Sequence, residues 1–159
     1  MRTGRRLVFV EPGKPLEIWD GEVADPPPGG VLVRTLLAGV CGSDAHRLDG
    51  DIPSKGCPVT FGHEGVGIVE ALGDGVTRDR AGAPIAVGDA VYWTPGSIDA
   101  DSGESLEVWP PPAELPSPAS YQDFATIAPR GIFYRIPEGV DPEAVIAFGC
   151  ALPTALGGL

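Results

Sequence analysis

The chain has 159 residues, 43% of them hydrophobic and 21% charged, which is the size and balance of one folded domain with a buried core. A formal net charge of −11 repels phosphate backbones and anionic lipid surfaces, so it argues against nucleic-acid and membrane partners. Three cysteines, far apart, make no disulfide framework and suit free thiols in a reducing cytoplasm.

The arginines Arg2, Arg5 and Arg6 precede no long apolar stretch, so no secretory signal is expected. Leu7 to Val10 reads as a strand, with Leu16 to Trp19 as its hairpin partner across Pro12-Gly13-Lys14. The run Asp25 to Gly30 is a rigid turn. Val31 to Leu37 alternates and is rich in β-branched residues, as a half-buried strand should be. Gly65 to Leu72 is another strand, stopped by Gly73-Asp74-Gly75, and Asp89 to Trp93 follows. Phe124 to Ile127 and Ile132 to Ile136 are the last two.

Short strands punctuated by 23 glycines and 18 prolines predict a mainly β barrel or sandwich. Between them, residues 94–120 carry Asp99, Asp101, Glu104, Glu107 and Glu114 among prolines and serines. That composition predicts a long, acidic, solvated loop. Near the end, Asp141 fits a helix N-cap, with Pro142 at the first helical position and Glu143 at the positive end of the dipole. The helix is expected through Ala144 to Phe148, interrupted or split by Gly149 and Pro153. The apolar run Val145 to Leu159 is too short to span a bilayer; its exposure predicts self-association.

Two glycine-rich clusters hold metal-ligand chemistry: Gly39-Val40-Cys41-Gly42-Ser43-Asp44-Ala45-His46 and Gly62-His63-Glu64-Gly65-Val66-Gly67. Cys150 lies far downstream. A Cys/His/Cys set leaves one tetrahedral position open, as a catalytic zinc requires and a structural zinc does not. Spacing alone leaves the alternative of small buried thiols open. Ser43 and Asp44 equally suit a helix cap, and His46 a surface turn. Cys57 fits a half-buried thiol. Trp19, Trp93 and Trp109 fit core or surface aromatics, with Trp93 also a candidate wall of a substrate cleft.

These two blocks, followed by Gly149-Cys150-Ala151-Leu152-Pro153-Thr154 in the same order, resemble the zinc-containing medium-chain alcohol dehydrogenases. The resemblance extends over essentially the whole chain, including Gly88-Asp89-Ala90-Val91 and Ile136-Pro137-Glu138-Gly139. It implies a GroES-like β-barrel over residues 1–159, with zinc held by Cys41, His63 and Cys150. It further implies that Ser43 binds the substrate hydroxyl and starts a proton relay that His46 passes to solvent. Asp44 would orient the ligating histidine, and Glu64 would be an alternate donor behind the metal. Each role suits its chemistry: zinc lowers the pKa of an alcohol, Ser–His carries a proton, and a carboxylate fixes an imidazole's tautomer.

Two departures qualify the resemblance. Many relatives place four closely spaced cysteines for a second, structural zinc where this chain has residues 94–120, and no cysteine occurs there, so one zinc is expected. There is also no Gly-x-Gly-x-x-Gly between a strand and a helix. A cofactor domain for NAD or NADP is expected after residue 159 in a full-length protein, and without it the isolated chain should not turn over. The implied partners are a small alcohol or carbonyl substrate and, at full length, a second copy in a homo-oligomer. A non-catalytic zinc-binding module on the same barrel is the alternative. A zinc-free quinone-reductase relative is a third reading, disfavoured because all three ligands are present.

Overall fold

A computed structural model describes residues 2–52, 57–94 and 117–157. Among them, eight strands and three short helices build two antiparallel sheets. The first sheet has the order β2-β1-β4, from β1 (Arg2–Phe9), β2 (Glu17–Val23) and β4 (Val59–Thr60). The second has the order β7-β3-β5-β6-β8. Its strands are β3 (Val31–Ala38), β5 (Gly65–Leu72), β6 (Ala90–Thr94), β7 (Phe124–Ile127) and β8 (Ile132–Arg135).

The expected hairpin forms, but it is longer at its open end and one residue shorter in each strand at its turn, pairing Arg2 with Val23 and Val8 with Glu17. Its polar first half stays extended because it has tertiary partners. Arg5 hydrogen-bonds Asp123 through its backbone N–H (2.9 Å) and Nε (3.1 Å), and Asp123 N–H returns a bond to Arg5 O (2.8 Å). With the Arg6–Gln122 bridge and Leu7 N–H on Tyr121 O (2.8 Å), these bonds join the two sheets. The Arg5 guanidinium holds the Asp123 carboxyl below the usual carboxylate range. A carboxyl with a depressed native pKa stabilises the fold above its unfolded pKa and loses that contribution as pH falls through the native value. Asp123→Asn should therefore lower the melting temperature at pH 7, and the gap to the unsubstituted chain should close on acidification. Parallel melts across that pH range check this; a gap that persists in acid would contradict it.

The larger core is built mainly from side chains of the second sheet. Val31, Val33, Val69, Ile85, Val91, Trp93, Ala125, Ile127 and Phe133 form one buried cluster. Trp93 has no exposed surface, and its indole N–H donates to Pro118 O at 2.8 Å. The cleft-wall expectation for Trp93 is thereby corrected: a side chain sealed among core residues does not line a cleft. A smaller cluster of Phe9, Val59 and Phe61 takes in Leu16, Leu48, Cys57 and Tyr121 from the edges. Phe9 and Phe61 stack there with centroids 4.9 Å apart. Cys57 is half-buried against this cluster, as expected.

Most of the expected acidic loop, residues 95–116, lies outside the described residues. Its last four residues differ from the expectation of a solvated segment. Ser117, Ala119 and Ser120 are buried. Ser117 Oγ pairs with Thr60 Oγ1 at 3.0 Å, and Gln122 Nε2 donates to Ser117 O and Ala119 O at 2.7 Å each. Small side chains and satisfied carbonyls let this end of the segment pack, which composition does not reveal.

The C-terminal stretch is split as expected. α2 (Pro142–Val145) is capped by Asp141, whose carboxylate accepts the Glu143 N–H at 2.9 Å. A 3₁₀ turn (Ile146–Gly149) follows, then α3 (Ala151–Gly157). The break falls at Cys150, with φ −145° and ψ −61°, and not at Pro153. Pro153 sits in the first turn of α3, where a backbone N–H has no intrahelical acceptor to lose. Neither helix buries a residue, and Phe148 and Leu156 are exposed. No helix among the described residues is long and apolar enough to cross a membrane.

Candidate metal centre

Three chain segments converge on one point. After β3, Cys41 serves as N-cap of α1 (Gly42–Leu48). Asp44, in the first turn, accepts the Cys41 N–H at 3.0 Å, while Cys41 O accepts the Asp44 N–H at 3.0 Å. The helix anticipated after the Cys41 turn therefore exists, with Cys41 rather than Ser43 or Asp44 as its cap. The turn between β4 and β5 carries His63 and Glu64. Gly62 enters it at φ +92°, a left-handed conformation that side chains rarely adopt. Cys150 arrives at the break between the 3₁₀ turn and α3.

One ligand atom from each of Cys41, His63, Glu64 and Cys150 lies within 4.8 Å of the others. The two sulfurs are 3.7 Å apart. Glu64 is buried. It reaches this point only because Gly39 has no side chain: a Cβ there would fall on the Glu64 carboxylate. The Gly39 N–H also bonds Glu64 O at 2.9 Å, which ties the end of β3 to the start of β5.

The electrostatics suit a cation. Hydrogen bonds from the Ser43 backbone and hydroxyl bring the Cys41 thiol down to about 7, so thiolate is accessible near neutral pH. Burial, and then the neighbouring Cys41, push the Cys150 thiol up. Asp44 Oδ1 faces His63 Nδ1 at 3.5 Å and holds the imidazole above the usual histidine range. Burial opposes ionisation of Asp44, but His63, the Cys41 N–H and Tyr121 together outweigh it and keep the carboxyl low. Two sulfurs, one imidazole and one carboxylate are a donor set that zinc accepts, so the residues present fit the metal.

Of the remaining site residues expected from sequence, Ser43 lies at Cys41 and Asp44 behind His63. His46 is not brought into the group. Its side chain is 63% exposed on α1, with Nδ1 3.0 Å from Asp51 Oδ2. One residue escaped sequence reasoning. Tyr121, half-buried in the segment before β7, places its hydroxyl 3.0 Å from both Asp44 Oδ2 and Gly39 O. Burial, with the charge of Asp44 beside it, pushes this phenol above the ordinary tyrosine range, so it remains a donor. No local pattern marks it, because its partner Asp44 is 77 positions away.

Comparison with known proteins bears on the family and the fold. Residues 27–133 match the alcohol dehydrogenase GroES-like domain. The 5-exo-hydroxycamphor dehydrogenase of Pseudomonas putida is 43% identical over 167 aligned positions, which cover 99% of this chain and 46% of that protein. An alcohol dehydrogenase structure from Thermotoga maritima superposes with a TM-score of 0.83 at 25% identity, covering 98% of this chain and 46% of that one. A structure described as a short chain alcohol dehydrogenase of Escherichia coli, complexed with NADH, superposes at 0.68 with 25% identity, covering 91% and 42%. The chain thus spans less than half the length of the relatives it matches. The family match covers most of the chain, and the protein belongs to the alcohol dehydrogenase GroES-like domain family.

Proposed function

We propose that this chain is the zinc-binding catalytic domain of a zinc-dependent alcohol dehydrogenase, which oxidises an alcohol or reduces a carbonyl with NAD or NADP. The observation that carries the reading is the convergence of Cys41, His63 and Cys150, with Glu64 beside them, within 4.8 Å. Cys41, His63 and Cys150 would hold zinc, and Glu64 would be an exchangeable donor. Bound there, zinc supplies a Lewis acid that lowers the pKa of an alcohol.

The chain's own residues supply the rest of this half of the chemistry. Asp44 fixes the His63 imidazole through Nδ1, which leaves the other ring nitrogen for a metal. The Ser43 hydroxyl, next to Cys41, would accept the substrate's proton while giving up its own to the next acceptor toward solvent. His46 stands three residues further along α1 in contact with solvent, so it can pass that proton outward. The hydride acceptor would be a nicotinamide held by a part of the protein that this chain does not cover. Free thiols at the site suit a reducing compartment. We include a homo-oligomeric full-length form in the reading.

The test is alcohol-dependent formation of NADH or NADPH by the protein that carries this chain. Zinc removal should abolish the activity, and added zinc should restore it. Turnover that survives complete zinc removal would contradict the reading.

A further inference from the structure

Asp44 is a buried carboxylate whose torsion decides what His63 and Cys41 meet. The terminal torsion of an aspartate is intrinsically broad, so its orientation has to be imposed by partners. Two donors meet on Oδ2, each at 3.0 Å: the Cys41 N–H from the start of α1 and the Tyr121 hydroxyl from the segment before β7. With both donors on one oxygen, Oδ1 is left facing His63 Nδ1.

Tyr121 is itself held firmly. Its N–H bonds Phe61 O at 3.1 Å, its carbonyl accepts the Leu7 N–H at 2.8 Å, and its ring packs on the cluster of Phe9, Val59 and Phe61. Its single hydroxyl proton is shared between Asp44 Oδ2 and Gly39 O, the carbonyl two residues before Cys41. One side chain thus touches the approach to one expected ligand and the carboxylate behind another.

We propose that Tyr121 is a positioning residue for the metal centre, locking the Asp44 carboxylate in the orientation that presents His63 and Cys41 to zinc. This rests on the zinc reading above. A purely structural Tyr121 would need only its ring, whereas a positioning Tyr121 needs its hydroxyl.

Tyr121→Phe separates the two, because it keeps the ring and removes one oxygen. Zinc affinity is measured by competition with a chromophoric chelator, and the ligand field by the visible spectrum of the Co²⁺-loaded chain. Tyr121→Phe should weaken zinc binding by about 10-fold or more, the range typical of partners behind metal ligands. It should also shift the Co²⁺ bands, while the metal-free chain keeps its circular dichroism spectrum. In an Asp44→Asn background the same substitution should add little, since the path through Asp44 is already broken. An affinity and Co²⁺ spectrum identical to those of the unsubstituted chain would overturn the proposal. So would an effect undiminished in Asp44→Asn. If Asp44→Asn does not fold, the Co²⁺ spectrum of Tyr121→Phe decides alone. Failure of the unsubstituted chain to bind zinc would overturn the zinc reading, and this inference with it; zinc bound equally by both chains overturns this inference alone.

Discussion

Cys41→Ala should leave the purified chain without zinc, whereas the unsubstituted chain should retain about one ion. The loss should far exceed the 10–100-fold cost of removing a partner behind the ligands. Three features converge on this residue. Its Sγ lies 3.7 Å from Cys150 Sγ, Ser43 lowers its pKa to about 7, and it shares a compact donor group with His63 and Glu64. His63→Ala should behave alike, since it removes the one imidazole of that group. Cys57→Ala is the control: Cys57 packs on the Phe9–Phe61 cluster, so its loss should leave zinc content unchanged. Metal analysis by plasma mass spectrometry after gel filtration checks all three. Full zinc retention by Cys41→Ala would refute the assignment of that ligand.

The second large effect concerns stability. Trp93→Ala should cost about 3–5 kcal/mol, as truncation of a large buried aromatic does. For a chain of this length that lowers the melting temperature by roughly 10 °C. The side chain has no exposed surface, sits in the main core and anchors Pro118 through its indole N–H. Pro118 belongs to the segment that carries Tyr121, so the loss should also loosen the approach to Asp44. Thermal melts and chemical denaturation measure the effect. A Trp93→Ala protein of unchanged stability but altered substrate preference would restore the cleft-wall reading corrected above.

The parts of the fold that local pattern anticipates are those whose reasons are local. β5 and β7 form at the expected boundaries because their apolar and β-branched runs stop at turn residues. The Asp141 cap also forms as expected, since the carboxylate that satisfies Glu143 N–H is two residues away. The first half of β1 was missed because Arg2-Thr3-Gly4-Arg5-Arg6 is polar, and it is extended only through β2 and Asp123. α1 has no apolar periodicity; the Asp44–Cys41 cap and Leu48, packed on the small core, hold it in place.

The same division runs through the site. Cys41, His63 and Glu64 are legible as chemistry in glycine-rich turns and Cys150 as a further soft ligand far downstream, and the fold brings the four together. Asp44 lies behind His63, with Oδ1 3.5 Å from Nδ1. His46 lies apart from the cluster on an exposed helix face, so the relay role proposed for it would rest on a proton path and not on contact with the metal group. Tyr121 could not be found in advance, because it acts across 77 positions through a single hydroxyl.

The most direct measurement is X-ray absorption at the zinc edge of the zinc-loaded chain. The account predicts a mixed shell: two sulfurs, from Cys41 and Cys150, and lighter donors that include the His63 nitrogen. A shell of nitrogen and oxygen only, or zinc lost on gel filtration, would contradict it.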